Sequence, residues 1–322
     1  MPPAVINYTG SLFVAIEFLR TYLWGERGDE DLWCVIQYRH SNVFYIRRAK
    51  MSLGIAFKGP EGIVLASDSR VTLNTEIPSG PNRIILPSTF DNATKLLRFQ
   101  NHNYVGAVTY GVGAIGQREP RTAHSFLSEF ENQLAKNENK RYLVADFAEK
   151  LSHFFLKQWT ESEMPEGTPE NNIIFLIAGF DADAPYGKVF RVMIPSAPSP
   201  VEQNAGQFGV SWGGQLAFTN RLVKGMDPRL SHLVQRHLGL NDAQRDSLDE
   251  FLERELSLHI PYQFLPLQDC VDLSIFLVRT TMEIQTWLVD IRGVGGAIDV
   301  ATITRTDGFN PIQQKKIVGQ RS

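Results

Sequence analysis

The chain has 322 residues, 43% hydrophobic and 21% charged, a composition typical of globular proteins and not of disordered or collagen-like ones. Its 32 Lys and Arg residues against 35 Asp and Glu give a net charge of −3, which provides no attraction for nucleic acid or an anionic membrane surface. Two cysteines, Cys34 and Cys270, are too few for a disulfide framework, and no Cys/His spacing fits a zinc site. The apolar run 11–24 carries Glu17 and Arg20, so it is neither a membrane span nor a signal peptide. The sequence therefore predicts a cytoplasmic protein with no metal or cofactor.

Residues 1–51 differ from the rest of the chain, because short aromatic and β-branched stretches alternate there with charged residues. One interpretation makes them a hairpin or helix of the same domain. The other makes them an N-terminal extension, either a removable prosegment or translation from a start codon upstream of the true one at Met51. The remaining chain is then predicted to form one domain over 52–307, followed by a polar tail over 308–322.

From Ser52 onward, apolar runs around turn residues predict strands, and apolar residues four apart predict amphipathic helices. Three strand pairs are expected, at 53–57 with 63–66, at 96–99 with 104–108, and at 173–180 with 188–194. Further strands are expected at 208–212 and 298–304, helices at 126–134, 143–155, 216–223, 242–258 and 269–288, and a long loop at 73–92. Because strands and helices come in separate runs, the order favours an α+β fold over an alternating α/β sheet.

A glycine-rich segment from Gly111 to Gly116 matches the GxGxxG fingerprint of dinucleotide-binding proteins. That fingerprint should open the helix of a βαβ unit. Here hairpins precede it, and Arg118-Glu119-Pro120 interrupts the start of the following helix. Glycines that allow close backbone packing or line a pocket are the better interpretation.

Residues 52–70 carry the most specific pattern in the chain. They form an apolar strand, a turn with glycine, a second apolar strand and the triplet Asp68-Ser69-Arg70. This block closely resembles the opening of a proteasome β-type subunit, a family of N-terminal nucleophile (Ntn) hydrolases. The resemblance covers roughly 52–304 and is strongest in its first 20 residues. It implies an α+β fold in the form of a four-layer αββα sandwich, with two sheets packed face to face between helical layers.

The resemblance also implies a set of catalytic residues. Counting back from Asp68 without gaps places Ser52 where the family's nucleophilic threonine stands. The segment around Lys95 resembles the one that carries the active-site lysine. The strand that ends at Gly111 resembles the one that ends in the oxyanion-hole glycine, although Tyr110 takes that role if the gap falls differently.

Other parts of the family pattern are weaker. Asp290, between the 271–285 helix and a glycine pair, resembles the acidic residue near the end of the family's domain. The mapping further predicts that the pocket for the residue before the scissile bond is lined by Val71, Ala93 and Val108, three small apolar side chains that favour an apolar group.

The chemistry explains why these residue types belong together. A serine hydroxyl is a weak nucleophile until a base takes its proton, and a chain-terminal amine has a pKa of about 7.7–8.0, so it can act as that base near neutral pH. Ser52 supplies both groups if the peptide bond that follows Met51 is broken. Lys95 would favour the anionic forms, Asp68 would keep Lys95 charged, and Gly111 would donate a backbone N–H to the oxyanion.

The chain also departs from the family. Serine replaces threonine, which removes a methyl group that restricts the side-chain rotamer. The accessory serines of the family are missing, because Ser211-Trp-Gly-Gly214 ends in glycine and the segment 290–296 has no serine and one extra residue. The network that orients the terminal amine is therefore incomplete by sequence.

Three functions remain open at this point. The first is a peptide or amide hydrolase that forms an acyl-enzyme on Ser52, without metal or nucleotide. The second is a catalytically silent shell or binding subunit. It follows if residues 1–51 stay attached, because Ser52 then has no free amine. The third is an acylase of small amides. The family's ring assemblies imply a homo-oligomeric ring with no nucleic-acid or membrane partner, and leave open whether an ATP-driven unfoldase is involved.

Overall fold

The chain divides into two units, residues 1–48 and 49–322. The structure, a computed structural model, describes residues 34–37, 43–46, 52–79, 82–116, 119–135, 141–166, 171–289 and 291–319. In the first unit, strand β1 (Cys34–Gln37) pairs antiparallel with β2 (Val43–Ile46).

The second unit combines helices and antiparallel sheets, so the α+β prediction is confirmed. Its strands are β3 (Leu53–Lys58), β4 (Ile63–Ser67), β5 (Val71–Ser79), β6 (Asn82–Phe90), β7 (Leu96–Arg98), β8 (Val105–Gly111), β9 (Ile173–Gly179), β10 (Lys188–Ile194), β11 (Ala197–Gln203), β12 (Gly209–Gly214), β13 (Asp299–Thr304) and β14 (Gly308–Gln313). Its α-helices are α1 (Leu127–Ala135), α2 (Val144–Glu161), α3 (Leu216–Val223), α4 (Leu230–Leu238), α5 (Asp242–Leu256) and α6 (Leu267–Thr286).

Ten of these strands form two five-stranded sheets. The first sheet has the order β12-β3-β4-β13-β14, and the second has the order β11-β10-β9-β8-β7. All neighbouring strands are antiparallel. The three strand pairs expected from the sequence are all present, because in each the two apolar runs flank a connection of only four to eight residues.

Three buried clusters hold the unit together. The odd-numbered residues of β3, such as Leu53 and Phe57, belong to a cluster with α6. Ala56 of the same strand belongs, with Val108 of β8, to a second cluster that lies between the two sheets. The third cluster joins the other face of the second sheet to α1 and α2, with Phe147 fully buried in it. Successive side chains of a strand point to opposite faces, so a strand buried on both faces, such as β3, is apolar along most of its length.

Several elements differ from the sequence-based expectation. The segment 73–92 was expected to be a loop, but most of it belongs to the β5–β6 hairpin. β11 and α4 were not anticipated, and the first six residues of the expected tail form β14, paired with β13. The four missed strands all contain proline, which argues against a central strand but is tolerated at a sheet edge, where each of these strands lies.

Candidate active site

Two hairpins bring their open ends to one place. Ser52 directly precedes β3 and Asp68 directly follows β4, and the antiparallel register pairs Gly54 with Ser67, so the two residues are neighbours. Lys95 directly precedes β7, and β8 ends at Gly111. The backbone N–H of Thr109 donates to the Lys95 carbonyl at 3.0 Å, which fixes the second hairpin at this point.

A buried lysine links the serine to the aspartate. Lys95 Nζ donates to Ser52 Oγ at 2.7 Å and to Asp68 Oδ1 at 2.7 Å. Ser52, Asp68 and Lys95 are exposed by only 3%, 0% and 4%, so this network is shielded from solvent. Burial lowers the pKa of Lys95, and the neighbouring Asp68 carboxylate opposes that shift by stabilising the charged amine.

Asp68 is held by backbone donors as well as by Lys95. Its Oδ1 also accepts from the N–H of Leu53 at 2.9 Å, and its Oδ2 accepts from the N–H groups of Arg70 at 3.1 Å and Gly295 at 3.0 Å. Four donors on two oxygens compensate the desolvation of a fully buried carboxylate. The aspartate therefore presents a fixed negative charge to Lys95.

The backbone of Ser52 is fixed on both sides. Its N–H donates to the Gly293 carbonyl at 2.9 Å, and its carbonyl accepts from the N–H of Gln215 at 2.9 Å. Ser52 has a φ of +78°, a left-handed conformation that costs a non-glycine residue about 1–2 kcal/mol. Gly293 and Gln215 were not singled out from the sequence, since a backbone contact leaves no residue-type signal.

Gly111 lies beside the serine and needs to be glycine. Its φ is +89°, and a Cβ at this position would lie 2.2 Å from the Asn172 carbonyl oxygen. Together with Ser52 it lines a small inner cavity of about 10 Å³. The residues that line the inner cavity are Ser52, Val71, Ala93, Thr94, Lys95, Thr109, Tyr110, Gly111, Val112, Gly113, Thr122 and Ala123. Tyr110, the alternative oxyanion position, also lines it, and burial raises the pKa of its hydroxyl to about 12.

A wider outer cavity of about 640 Å³ shares Val71, Ala93 and Thr122 with the inner one. The remaining residues of the outer cavity wall are Thr89, Phe90, Asp91, Asn92, Ala114 and Pro120. Asp91 accepts two hydrogen bonds from the Arg70 guanidinium, at 2.5 and 2.8 Å, which lower the pKa of its carboxyl. The Arg70–Asp91 ion pair therefore holds this part of the outer cavity wall in place.

The predicted pocket residues do not all lie at the cavities. Val71 and Ala93 line both of them, but Val108 is fully buried in the cluster between the two sheets. The inner cavity is lined instead by the next residue along β8, Thr109, because alternate side chains of a strand point to opposite faces.

The other predicted features have a simpler outcome. Asp290 lies outside the described residues. Ser211 Oγ accepts from Asn204, in the middle of the first sheet's edge strand β12. Within the described ranges, no three His, Cys, Asp or Glu side chains are grouped so that they could hold a metal ion, and no helix is both long and apolar enough to cross a bilayer.

The site can therefore place a hydroxyl, an amine and a carboxylate in one buried chain of hydrogen bonds that opens on a cavity. Comparison with known proteins finds no family model that matches the chain and no curated protein similar to it.

Proposed function

We propose that this protein is an N-terminal nucleophile hydrolase that cleaves peptide or amide bonds through an acyl-enzyme on Ser52. The observation that carries the proposal is the position of Lys95 Nζ, which donates at 2.7 Å both to the serine hydroxyl and to the Asp68 carboxylate. A buried lysine that touches a buried serine in a cavity wall is costly for stability and has a clear use in nucleophilic catalysis.

In the proposed mechanism the peptide bond between Met51 and Ser52 is first broken, which leaves Ser52 with a free amine. That amine takes the hydroxyl proton as Ser52 Oγ attacks the substrate carbonyl carbon. Lys95 stabilises the developing negative charge, and the oxyanion accepts from the backbone N–H of Gly111. The proton then passes to the leaving amine, and an ester remains on Ser52. Water attacks that ester while the terminal amine takes one of its protons. The amine then returns this proton to Ser52 Oγ as the ester bond breaks, which releases the acid and restores the serine hydroxyl.

The position of the Ser52 nitrogen supports the role of the amine. The Gly293 carbonyl, 2.9 Å away, would hold one N–H of the free amine and turn its lone pair toward the hydroxyl. This contact supplies part of the orientation that the missing accessory serines provide elsewhere in the family. The strained φ of +78° at Ser52 also favours the cleaved form, because a first residue has no preceding carbonyl to clash with.

We further propose that the second unit is the four-layer αββα sandwich of this family. The support is the arrangement of the three buried clusters: one joins the first sheet to α6, one joins the two sheets, and one joins the second sheet to α1 and α2.

The proposal extends to ring assembly. It is favoured by large exposed apolar side chains on helices, among them Leu238, Phe251 and Phe276, and light scattering of the purified protein tests it.

The central experiment compares two forms of the protein: the full chain, and a chain released from a cleavable fusion so that it begins at Ser52. Each is incubated with a panel of short peptide amides and small acyl amides, and intact mass records the first residue and any acyl adduct. We expect turnover only where Ser52 is the first residue. Ser52→Ala should abolish it, Ser52→Thr should retain it, and Ser128→Ala, a matched change at an exposed serine, should leave it unchanged.

Three results would overturn parts of the proposal. Equal turnover by Ser52→Ala removes the serine from the mechanism. Hydrolysis by a chain that retains Met51 removes the terminal amine from it. Absence of turnover and of adduct from the chain that begins at Ser52 leaves the silent subunit as the better function, whereas hydrolysis of acyl amides alone assigns the acylase.

A further inference from the structure

Asp91 lies in the turn after β6 and holds the side chain of Arg70. Its carboxylate accepts from Arg70 Nε at 2.5 Å and from Arg70 Nη2 at 2.8 Å. The third contact of this guanidinium goes elsewhere, because Nη1 donates to the Arg292 carbonyl at 3.1 Å. A planar guanidinium that is engaged on two sides fixes its partners relative to one another. Arg70 therefore connects the turn at Asp91 to the segment 291–297, which lies between α6 and β13.

The segment 291–297 contacts the candidate active site at two places. The Gly293 carbonyl accepts from the Ser52 nitrogen at 2.9 Å, and the Gly295 N–H donates to Asp68 Oδ2 at 3.0 Å. None of the residues of this segment belongs to a helix or a strand, so no regular ladder of hydrogen bonds holds it. Its position depends instead on individual contacts with the residues around it.

Gly293 is held through the contacts of its two neighbours in the chain. On one side, the Arg292 carbonyl accepts from Arg70. On the other side, the Val294 N–H donates to Gln285 Oε1 at 3.0 Å, in a buried hydrogen bond. Glycine by itself can adopt a wide range of backbone conformations. The two flanking contacts therefore limit the directions in which the Gly293 carbonyl can point.

The backbone of Asp91 is packed close to the same segment. Its carbonyl accepts from Ser69 Oγ at 2.8 Å, and a Cβ added at Gly296 would lie 2.3 Å from that carbonyl oxygen. The Ser69 N–H in turn donates to the Gly295 carbonyl at 3.0 Å. A change in the Asp91 side chain thus reaches the peptide group before Gly293 through two consecutive hydrogen bonds and not through the whole fold.

We propose that Asp91 is a positioning residue for the terminal amine of Ser52. It holds Arg70, which holds the peptide group before Gly293, and the Gly293 carbonyl orients the amine. The inference rests on the proposed function, since it concerns the base of that mechanism. Arg70 and Asp91 are 18% and 43% exposed, so their ion pair contributes little to the stability of the fold. Loss of the pair should therefore affect the geometry of the amine more than the folded state.

The test compares Asp91→Asn with the wild type, both as chains that begin at Ser52. Asparagine keeps the shape of the side chain but has only one acceptor oxygen, so the double contact with the Arg70 guanidinium is lost. Because a displacement of about 1 Å near the reacting atoms can cost about 100-fold in rate, we expect kcat to fall by about tenfold to 100-fold. KM should stay close to the wild-type value. Asp91→Glu, which keeps a carboxylate, should retain a higher kcat than Asp91→Asn.

A matched control is available at Asp227. Its carboxylate also accepts from Nε and Nη2 of one guanidinium, that of Arg229, at 2.8 and 3.0 Å, and the two side chains are 17% and 50% exposed. Asp227 lies between α3 and α4 and lines neither cavity. Asp227→Asn should leave kcat and KM unchanged. An equal fall of kcat in both variants would indicate a general effect of losing an ion pair and would overturn the inference.

Hydrogen exchange read by mass spectrometry measures the segment 291–297 without reference to turnover. Peptides that cover this segment should exchange faster in Asp91→Asn than in the wild type, because one of its contacts is lost. Peptides that cover β3 and β4 should exchange at the wild-type rate, which would show that the sheet is intact. Unchanged exchange over 291–297 would mean that Asp91 does not hold the segment, and the inference would be wrong.

The remaining outcomes separate the inference from the proposed function. Turnover that needs Ser52 as the first residue but has the same kcat in Asp91→Asn and the wild type would refute the inference and leave the hydrolase intact. A rise in KM at unchanged kcat would also refute it, because Asp91, which lines the outer cavity, would then act by contacting the substrate. If the wild-type chain that begins at Ser52 shows no turnover, the proposed function fails, and the inference fails with it.

Discussion

Replacing Asp68 by asparagine should destabilise the protein strongly, although the two side chains have the same shape. The carboxylate accepts four hydrogen bonds, two on each oxygen. In either orientation of the asparagine amide, its NH2 group faces two donors instead of accepting from them. Lys95 also loses its counter-ion while it remains buried.

The size of this effect follows from the burial of the pair. Asp68 and Lys95 are exposed by 0% and 4%, so solvent cannot replace the lost contacts. Removing one partner of a buried ion pair costs about 3–5 kcal/mol, a large part of the roughly 5–15 kcal/mol that stabilises a typical domain. Without the carboxylate the pKa of Lys95 should fall further, because Asp68 is what opposes the effect of burial.

Urea unfolding followed by circular dichroism measures the change. A matched control is Glu253→Gln, which breaks the pair with Lys224 at 2.8 Å on the surface, where the side chains are 52% and 32% exposed. That change should cost at most about 1 kcal/mol. The double variant Asp68→Asn with Lys95→Met should be more stable than Asp68→Asn alone, because the unpaired buried charge is then absent.

The reasoning would be refuted by a loss of less than about 1 kcal/mol in Asp68→Asn, equal to that of the surface control. It would also be refuted by a double variant that is less stable than the single one. Failure of Asp68→Asn to fold at all agrees with the upper end of the range, and the double variant then carries the comparison.

Three further predictions concern residues around the site and its supporting core. Gly111→Ala should lower the free energy of unfolding by at least about 1–2 kcal/mol and should reduce turnover. The reason is that Gly111 has a φ of +89° and that the new Cβ would meet the Asn172 carbonyl oxygen. Urea titration measures the first effect and steady-state kinetics the second. Phe147→Ala should cost about 3–5 kcal/mol in the same titration, because this fully buried ring packs edge to face against Phe99. Burial lowers the pKa of His102 from 6.5, so below that pH the unfolded chain binds more protons than the folded one. Stability should therefore fall as the pH drops from about 6.5 toward 5, and His102→Phe should weaken that dependence in titrations at several pH values.

The interior elements of the second unit were predictable because their pattern is local. Strands buried on both faces, such as Leu53–Lys58, are apolar up to their last residue, and amphipathic helices repeat their apolar residues every three or four positions. The edge strands were not predictable in this way. Ala197–Gln203 has no buried residue, Gly308–Gln313 has only two, and both contain proline, so only the neighbouring strand makes them strands.

The same division applies to the candidate site. The sequence by itself indicated Ser52, Asp68 and Lys95 as the residues to examine. Asp68 and Lys95 have the type and order found in the family that the chain resembles, and Ser52 stands where that family has threonine. Only the tertiary structure decided which atoms meet. The contacts of Asp68 with Gly295 and of Ser52 with Gly293 are made by backbone groups more than 200 positions away, and backbone groups are the same in every residue type. Strand pairing likewise decided which face of β8 carries Val108 and which carries Thr109, because a shift of one residue exchanges the two faces of a strand.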